Sequence, residues 1–128
     1  MANDSLPPPV RQLVSRYIRS VEQLEILLLL QKEPERTWTC DEVYDVIRSS
    51  KASVLQRLES FASDGFLETE PGPPPRFRYA PKSSDLRSAV EETAKVYQTW
   101  RIRIIEAIFA PDVDPVQSFA DAFKFRKT

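Results

Sequence analysis

The chain has no histidine, one cysteine (Cys40) and two glycines in 128 residues. Without histidine, and with one thiol, no zinc site of the usual Cys/His kind and no His-based triad or general base can form within it. Two glycines are too few for a phosphate-binding loop or a dinucleotide fingerprint. A lone cysteine permits no intrachain disulfide, so a reducing, cytoplasmic compartment is expected. Only carboxylate, Lys, Tyr or Ser/Lys chemistry is left. The chain is therefore expected to work by binding, without a cofactor or metal, and not by catalysis.

Long apolar runs are also scarce. The longest, residues 24–30, is interrupted by Glu25 and is far short of the roughly 20 residues that span a bilayer. The N-terminus lacks the basic and apolar regions of a signal peptide, so no membrane partner is expected. What is present is ordinary globular composition, 41% hydrophobic and 29% charged, at a length suited to one domain with one appended element.

Net charge is −1 and the sequence pI is about 5.6. The distribution says more than the sum. Acids are absent from residues 5–21, which carry Arg11, Arg16 and Arg19. They are absent again from residues 46–58, which carry Arg48, Lys51 and Arg57, and from residues 71–84, which carry Arg76, Arg78 and Lys82.

Apolar residues Val10, Leu13, Val14, Tyr17, Ile18 and Val21 recur at helical spacing after three prolines. Ser20 to Gln23 match a capping box and open a second, central helix that must end before Pro34. Thr39 to Glu42 repeat the signature. They open a helix to about Arg48 with Trp38 as a staple over Val43, and with Val43, Tyr44, Val46 and Ile47 as inward candidates. Ser49 and Ser50 break that helix and cap the next, whose stripe is Val54, Leu55, Leu58, Phe61 and Ala62 and whose end is Gly65. Lys51, Ser53, Gln56 and Arg57 fall on or near its open face. Residues 66–70 and 76–80 read as two strands joined by a proline-rich turn, with Phe77 and Tyr79 on one face and Arg76 and Arg78 on the other.

From Asp85 to Phe109 the pattern predicts one helix about 36 Å long. Leu86, Val90, Thr93, Tyr97, Trp100, Ile104 and Ala107 follow a coiled-coil seam, with Ala89, Val96, Ile102, Ile105 and Phe109 as extra apolar surface beside it. A twofold dimer through this helix is expected, with Leu86, Val90, Tyr97, Trp100, Ile104, Ile105 and Ile108 as contacts. The alternative is a fold-back onto the N-terminal helix. Asp114 and Pro115 read as the start of a last short helix carrying Val116, Phe119, Ala120 and Phe123.

The order helix, helix, helix, strand, turn, strand over about residues 18–82, with Gly65-Phe66-Leu67-Glu68 after the third helix of the trio, resembles the winged helix-turn-helix fold of small bacterial transcription regulators. The long C-terminal helix resembles the dimerisation helix of PadR- or MarR-like members. The resemblance implies a mainly α fold with a small β-hairpin, a DNA-binding domain at 1–84 and a dimerisation segment at 85–128.

It further implies a homodimer on double-stranded DNA, with residues 50–64 in the major groove and a wing at 66–80 on the backbone or minor groove. Ser50, Lys51, Ser53, Gln56, Arg57, Arg76 and Arg78 would be the contacts. Two other readings stay open. One is a protein-interaction adaptor that keeps the fold without DNA, favoured if acids interleave with the arginines. The other is a ligand sensor whose cleft uses Tyr97, Trp100 and Phe109, with an effector that the sequence does not reveal.

Overall fold

The computed structural model describes residues 6–109, and the short helix expected from Asp114 lies outside them. Helices α1 (Pro8–Tyr17), α2 (Val21–Lys32), α3 (Cys40–Ile47), α4 (Lys51–Asp64), α5 (Ser84–Thr99) and α6 (Arg101–Phe109) accompany strands β1 (Thr37–Thr39), β2 (Leu67–Glu70) and β3 (Arg76–Tyr79). Two compact units divide the described residues, 21–91 in one and 6–20 with 92–109 in the other. Helix α1 thus groups with the C-terminal segment, whereas the sequence placed it within 1–84.

In the first unit α2 is the central helix, with Leu24, Ile26, Leu27 and Leu30 all fully buried. Its neighbours begin and end where the caps require. At the start of α3 the Thr39 hydroxyl accepts from the Glu42 amide, and the Thr39 amide donates to the Glu42 carboxylate. This satisfies two amides that no helical carbonyl can reach. The Ser50 hydroxyl accepts from the Ser53 amide at 3.1 Å to open α4. Gly65 closes α4 at φ 93°, a left-handed conformation that glycine adopts without a Cβ penalty. Val54, Leu58 and Phe61, spaced i, i+4, i+7, form the buried stripe of α4, and the Phe61 and Phe66 rings meet edge-on at 5.4 Å.

The hairpin carries one more strand than the sequence suggested. β3 is central in a three-stranded antiparallel sheet of order β1-β3-β2, with Trp38 opposite Phe77 on one side and Thr69 opposite Phe77 on the other. Three residues are too few to show an alternating period, and only pairing to β3 makes Thr37–Thr39 a strand. Phe77, Tyr79, Leu67 and Trp38 are buried, as the alternation predicted for the first two. Val46, expected inward on α3, is instead 55% exposed, and of that helix only Val43 is buried. Eight residues give α3 little more than two turns, too narrow a stripe to bury both.

In the second unit α1 packs on α6. Val10, Leu13, Val14 and Ile18 are buried, as are Thr93, Ile104, Ala107 and Ile108. The single helix expected over 85–109 is two helices that part at Trp100, with no proline or glycine there. The Thr99 hydroxyl donates to the Lys95 carbonyl four residues back, a bond that bends helices. Backbone bonds from Trp100 to Val96 and from Ile104 to Trp100 still bridge the break.

Candidate nucleic-acid interface

Helix α4 turns its buried stripe inward and leaves Lys51, Ala52, Gln56, Glu59 and Ser63 exposed on the opposite side. Lys51 and Gln56 were expected there. Ser50 lies beside them, but its hydroxyl is committed to the cap. Ser53 and Arg57 are placed differently. Both turn toward α2, where the Ser53 hydroxyl donates to Glu22 Oε1 at 2.7 Å and Arg57 Nε donates to the same oxygen at 3.2 Å. The Ser49 hydroxyl donates to the other oxygen of that carboxylate. The side chains of Arg57 and Glu22 are only 28% and 17% exposed. At a helical 100° per residue, Ser53 and Arg57 lie on the flank between the buried stripe and the open face, which is why spacing alone put them near the surface.

Burial of Glu22 would by itself raise its carboxyl pKa. The hydrogen bonds from Ser49, Ser53 and Arg57, with the Arg57 charge, outweigh that and hold it below the usual 4.5. Glu22 is therefore charged at neutral pH and cancels Arg57.

At the turn into α4, Arg48 occupies the left-handed region at φ 63° and ψ 29°, which is uncommon outside glycine and asparagine. This sharp reversal lets α4 follow α3 after only a short connection. Arg48 Nε donates to the Asp45 carbonyl at 3.1 Å. Its guanidinium lies 5.6 Å from the Tyr44 ring centre and Lys51 Nζ lies 5.7 Å from it, so two cations approach the half-buried tyrosine. Lys51 also pairs with Asp41 at 3.4 Å, with both side chains largely exposed. Arg48 and Tyr44 were absent from the expected contacts, although the acid-free run over 46–58 contained the signal for Arg48. Beneath the turn, Cys40 Sγ donates to the Lys51 carbonyl at 3.4 Å. Burial and Asp41 push the thiol pKa up, against a smaller lowering by Lys51, so little reactive thiolate forms.

On the hairpin, register sets each arginine against an acid: Glu68 opposite Arg78 and Glu70 opposite Arg76. Arg78 Nη2 donates to Glu68 Oε2 at 2.6 Å, whereas Arg76 is exposed and has no ion-pair partner among the described residues. The expected basic side of the hairpin is thus half neutralised. At its base an open groove of about 730 Å³ is lined by residues including Leu67, Arg78, Tyr79, Lys82 and Arg87. Tyr79 is buried there, its hydroxyl has no hydrogen-bond partner among the described residues, and burial pushes its pKa up to about 12.

The expected dimer contacts divide into two groups. Val90, Ile104 and Ile108 are buried within the single chain, which corrects their assignment as surface for a second subunit. α6 packs on α1, which offers it an apolar partner. Leu86, Tyr97 and Ile105 are half-buried and Trp100 is 46% exposed. Ile102 and Phe109, expected only as extra apolar surface, are the most exposed large apolar residues described, at 67% and 73%. Of the aromatics considered for a ligand cleft, Trp100 and Phe109 are exposed and Tyr97 is half-buried.

Three helices, a helix-capping turn between the last two and a packed β2–β3 hairpin define a winged helix-turn-helix fold, mainly α with a small antiparallel sheet. Solved structures of transcription regulators share it. BpsR of Bordetella bronchiseptica, whose DNA binding is regulated by 6-hydroxynicotinic acid, is 18% identical at a TM-score of 0.50, over 84% of this chain and 72% of its own. The M. tuberculosis transcriptional regulator MosR is 16% identical at a TM-score of 0.52, over 91% of this chain and 83% of its own. MarR of E. coli in its reduced form is 14% identical at a TM-score of 0.51, over 97% and 89%. At such identities the likeness is one of fold, and it agrees with the MarR-like resemblance read from the sequence. No family model and no curated protein sequence matches the chain. Among the described residues no helix is long and apolar enough to cross a membrane.

Proposed function

We propose that this chain is a DNA-binding transcriptional regulator that acts as a homodimer, with α4 in the major groove and the β2–β3 wing on the neighbouring backbone or minor groove. The observation that carries the reading is the open face of α4 in a fold shared with BpsR, MosR and MarR. Gln56 has the paired donor and acceptor that match adenine, Ala52 suits a thymine methyl, and Glu59 can accept from cytosine. Lys51 and Arg48, beside the start of α4, reach for phosphate, and Arg76 does so from the wing. Dimerisation is supported by Ile102, Ile105 and Phe109, which at i, i+3, i+7 form an apolar stripe along α6. Residues 85–128 remain the proposed dimerisation segment, joined by α1. A cytoplasmic location follows from this role, and a small-molecule effector is left open.

The test is a fluorescence anisotropy titration with fragmented genomic DNA at two salt concentrations. The expected result is binding that weakens steeply with salt, since each phosphate contact contributes roughly 0.9 to the slope of log affinity against log salt. Absence of salt-sensitive binding at micromolar protein overturns the proposal. A second reading, a protein-binding adaptor on the same fold, is favoured by the carboxylates on the cations: Asp41 on Lys51, Glu22 on Arg57 and Glu68 on Arg78. It predicts that same negative titration.

A further inference from the structure

Glu22 gathers three side-chain donors from another part of the chain, Ser49, Ser53 and Arg57. Two of them, Ser53 and Arg57, are polar residues of the first two turns of α4 that spacing would assign to contacts with DNA. We propose that Glu22 is a specificity-determining positioning residue, a charge lock that withholds Arg57 and Ser53 from the phosphate backbone. This rests on the DNA-binding reading of α4.

The argument is electrostatic and geometric. An arginine near a polyanion contributes attraction that is the same for every sequence, and that term supplies essentially all non-specific binding. Arg57 cannot contribute fully while its Nε is bonded to Glu22 at 3.2 Å and a charged carboxylate stands beside it. The open face of α4 then meets the groove through Ala52, Gln56 and Glu59, groups that read bases, with Lys51 as its remaining cation. Glu59 adds a negative charge to that face. Such a helix gives weak background affinity, so that discrimination depends on base contacts. The donors also close the lock from one side: Ser53 and Arg57 lie four residues apart on one flank of α4, and Ser49 joins them from the turn that precedes it. An exposed arginine that formed a passing ion pair would need neither serine.

Glu22→Gln removes the charge and keeps the size. The full chain is compared with Glu22→Gln, with Glu22→Gln/Arg57→Gln, and with Glu35→Gln, which removes an exposed acid elsewhere. Each is titrated with specific and scrambled duplex DNA over a salt series and run on immobilised heparin, with thermal unfolding as the control for folding. The lock predicts that Glu22→Gln binds scrambled DNA more tightly, steepens its salt slope by roughly 0.9, and lowers the ratio of specific to scrambled affinity. The double variant returns the slope to the wild-type value, and Glu35→Gln changes it less.

Weaker binding of folded Glu22→Gln, the behaviour of a carboxylate that orients Arg57 for contact, overturns the inference. So does an unchanged slope with a lowered melting temperature, the mark of a purely structural bond. If no variant binds DNA but Glu22→Gln alone elutes later from heparin, and the double variant does not, the lock stands and the DNA-binding reading fails.

Discussion

Arg78 on β3 and Glu68 on β2 face each other across the hairpin and are joined Nη2 to Oε2 at 2.6 Å. The pair is partly exposed, so its contribution to stability is small. Its larger effect is on the outward charge of the wing.

Glu68→Gln is therefore expected to change unfolding free energy by no more than about 0.5 kcal/mol. It should steepen the salt dependence of DNA binding by roughly 0.9 as Arg78 is released. Urea denaturation checks the first expectation and anisotropy the second. An unaltered salt slope would mean that the wing does not lie along the nucleic acid.

The capping box at α3 gives a purely structural prediction. Replacing Thr39 by alanine leaves the Glu42 amide unsatisfied, and the expected loss is about 1 kcal/mol in urea denaturation at unchanged m-value.

A side chain at Gly65 should be destabilising. Its φ of 93° is strained for any L-residue, and an added Cβ would collide with the aliphatic stem of Lys82. The backbone bond from the Lys82 amide to the Gly65 carbonyl at 2.8 Å holds the Lys82 main chain beside residue 65. Gly65→Ala is expected to cost upwards of roughly 1 kcal/mol from the left-handed geometry alone. Adding Lys82→Ala should recover the steric part and leave the conformational part. Full recovery would show that φ at residue 65 is not the constraint.

Glu22 links stability to pH. Its folded pKa lies below the unfolded value, so its contribution is fully present above about pH 4.5 and is lost as pH falls through the depressed value. The stability gap between wild type and Glu22→Gln should stay constant from neutrality down to that region and close below it. A gap that widens on acidification would reverse the sign of the linkage.

For self-association, Ile102→Asp combined with Phe109→Asp is expected to convert a dimer to a folded monomer, read by light scattering on a sizing column. Ile104→Asp places a charge at a fully buried position and is expected to unfold the chain instead. A dimer that survives the first pair of changes would place the contact elsewhere.

The local elements were legible in the sequence because their causes are local. The caps at Thr39 and Ser50, the stop at Gly65, the stripe Val54, Leu58, Phe61 and the alternation of Phe77 with Arg78 each depend on residues within about one or two turns of one another. Strand β1 was not legible, because its pairing to β3 joins Thr37 to Arg78 across a long stretch of chain. Nor was the break at Trp100, where no proline or glycine marks it.

What the tertiary structure alone decided is which acid meets which base. The bonds that Glu22 accepts from Ser49, Ser53 and Arg57 span 27, 31 and 35 residues. They exist only because α2 packs beside α4. Side-chain spacing fixes the face on which a charge sits, but its electrostatic effect depends on the nearest opposite charge, and packing brings that charge from a distant segment. For the same reason the sequence determined that α6 is apolar on more than one side, and the fold determined that α1 covers one of them.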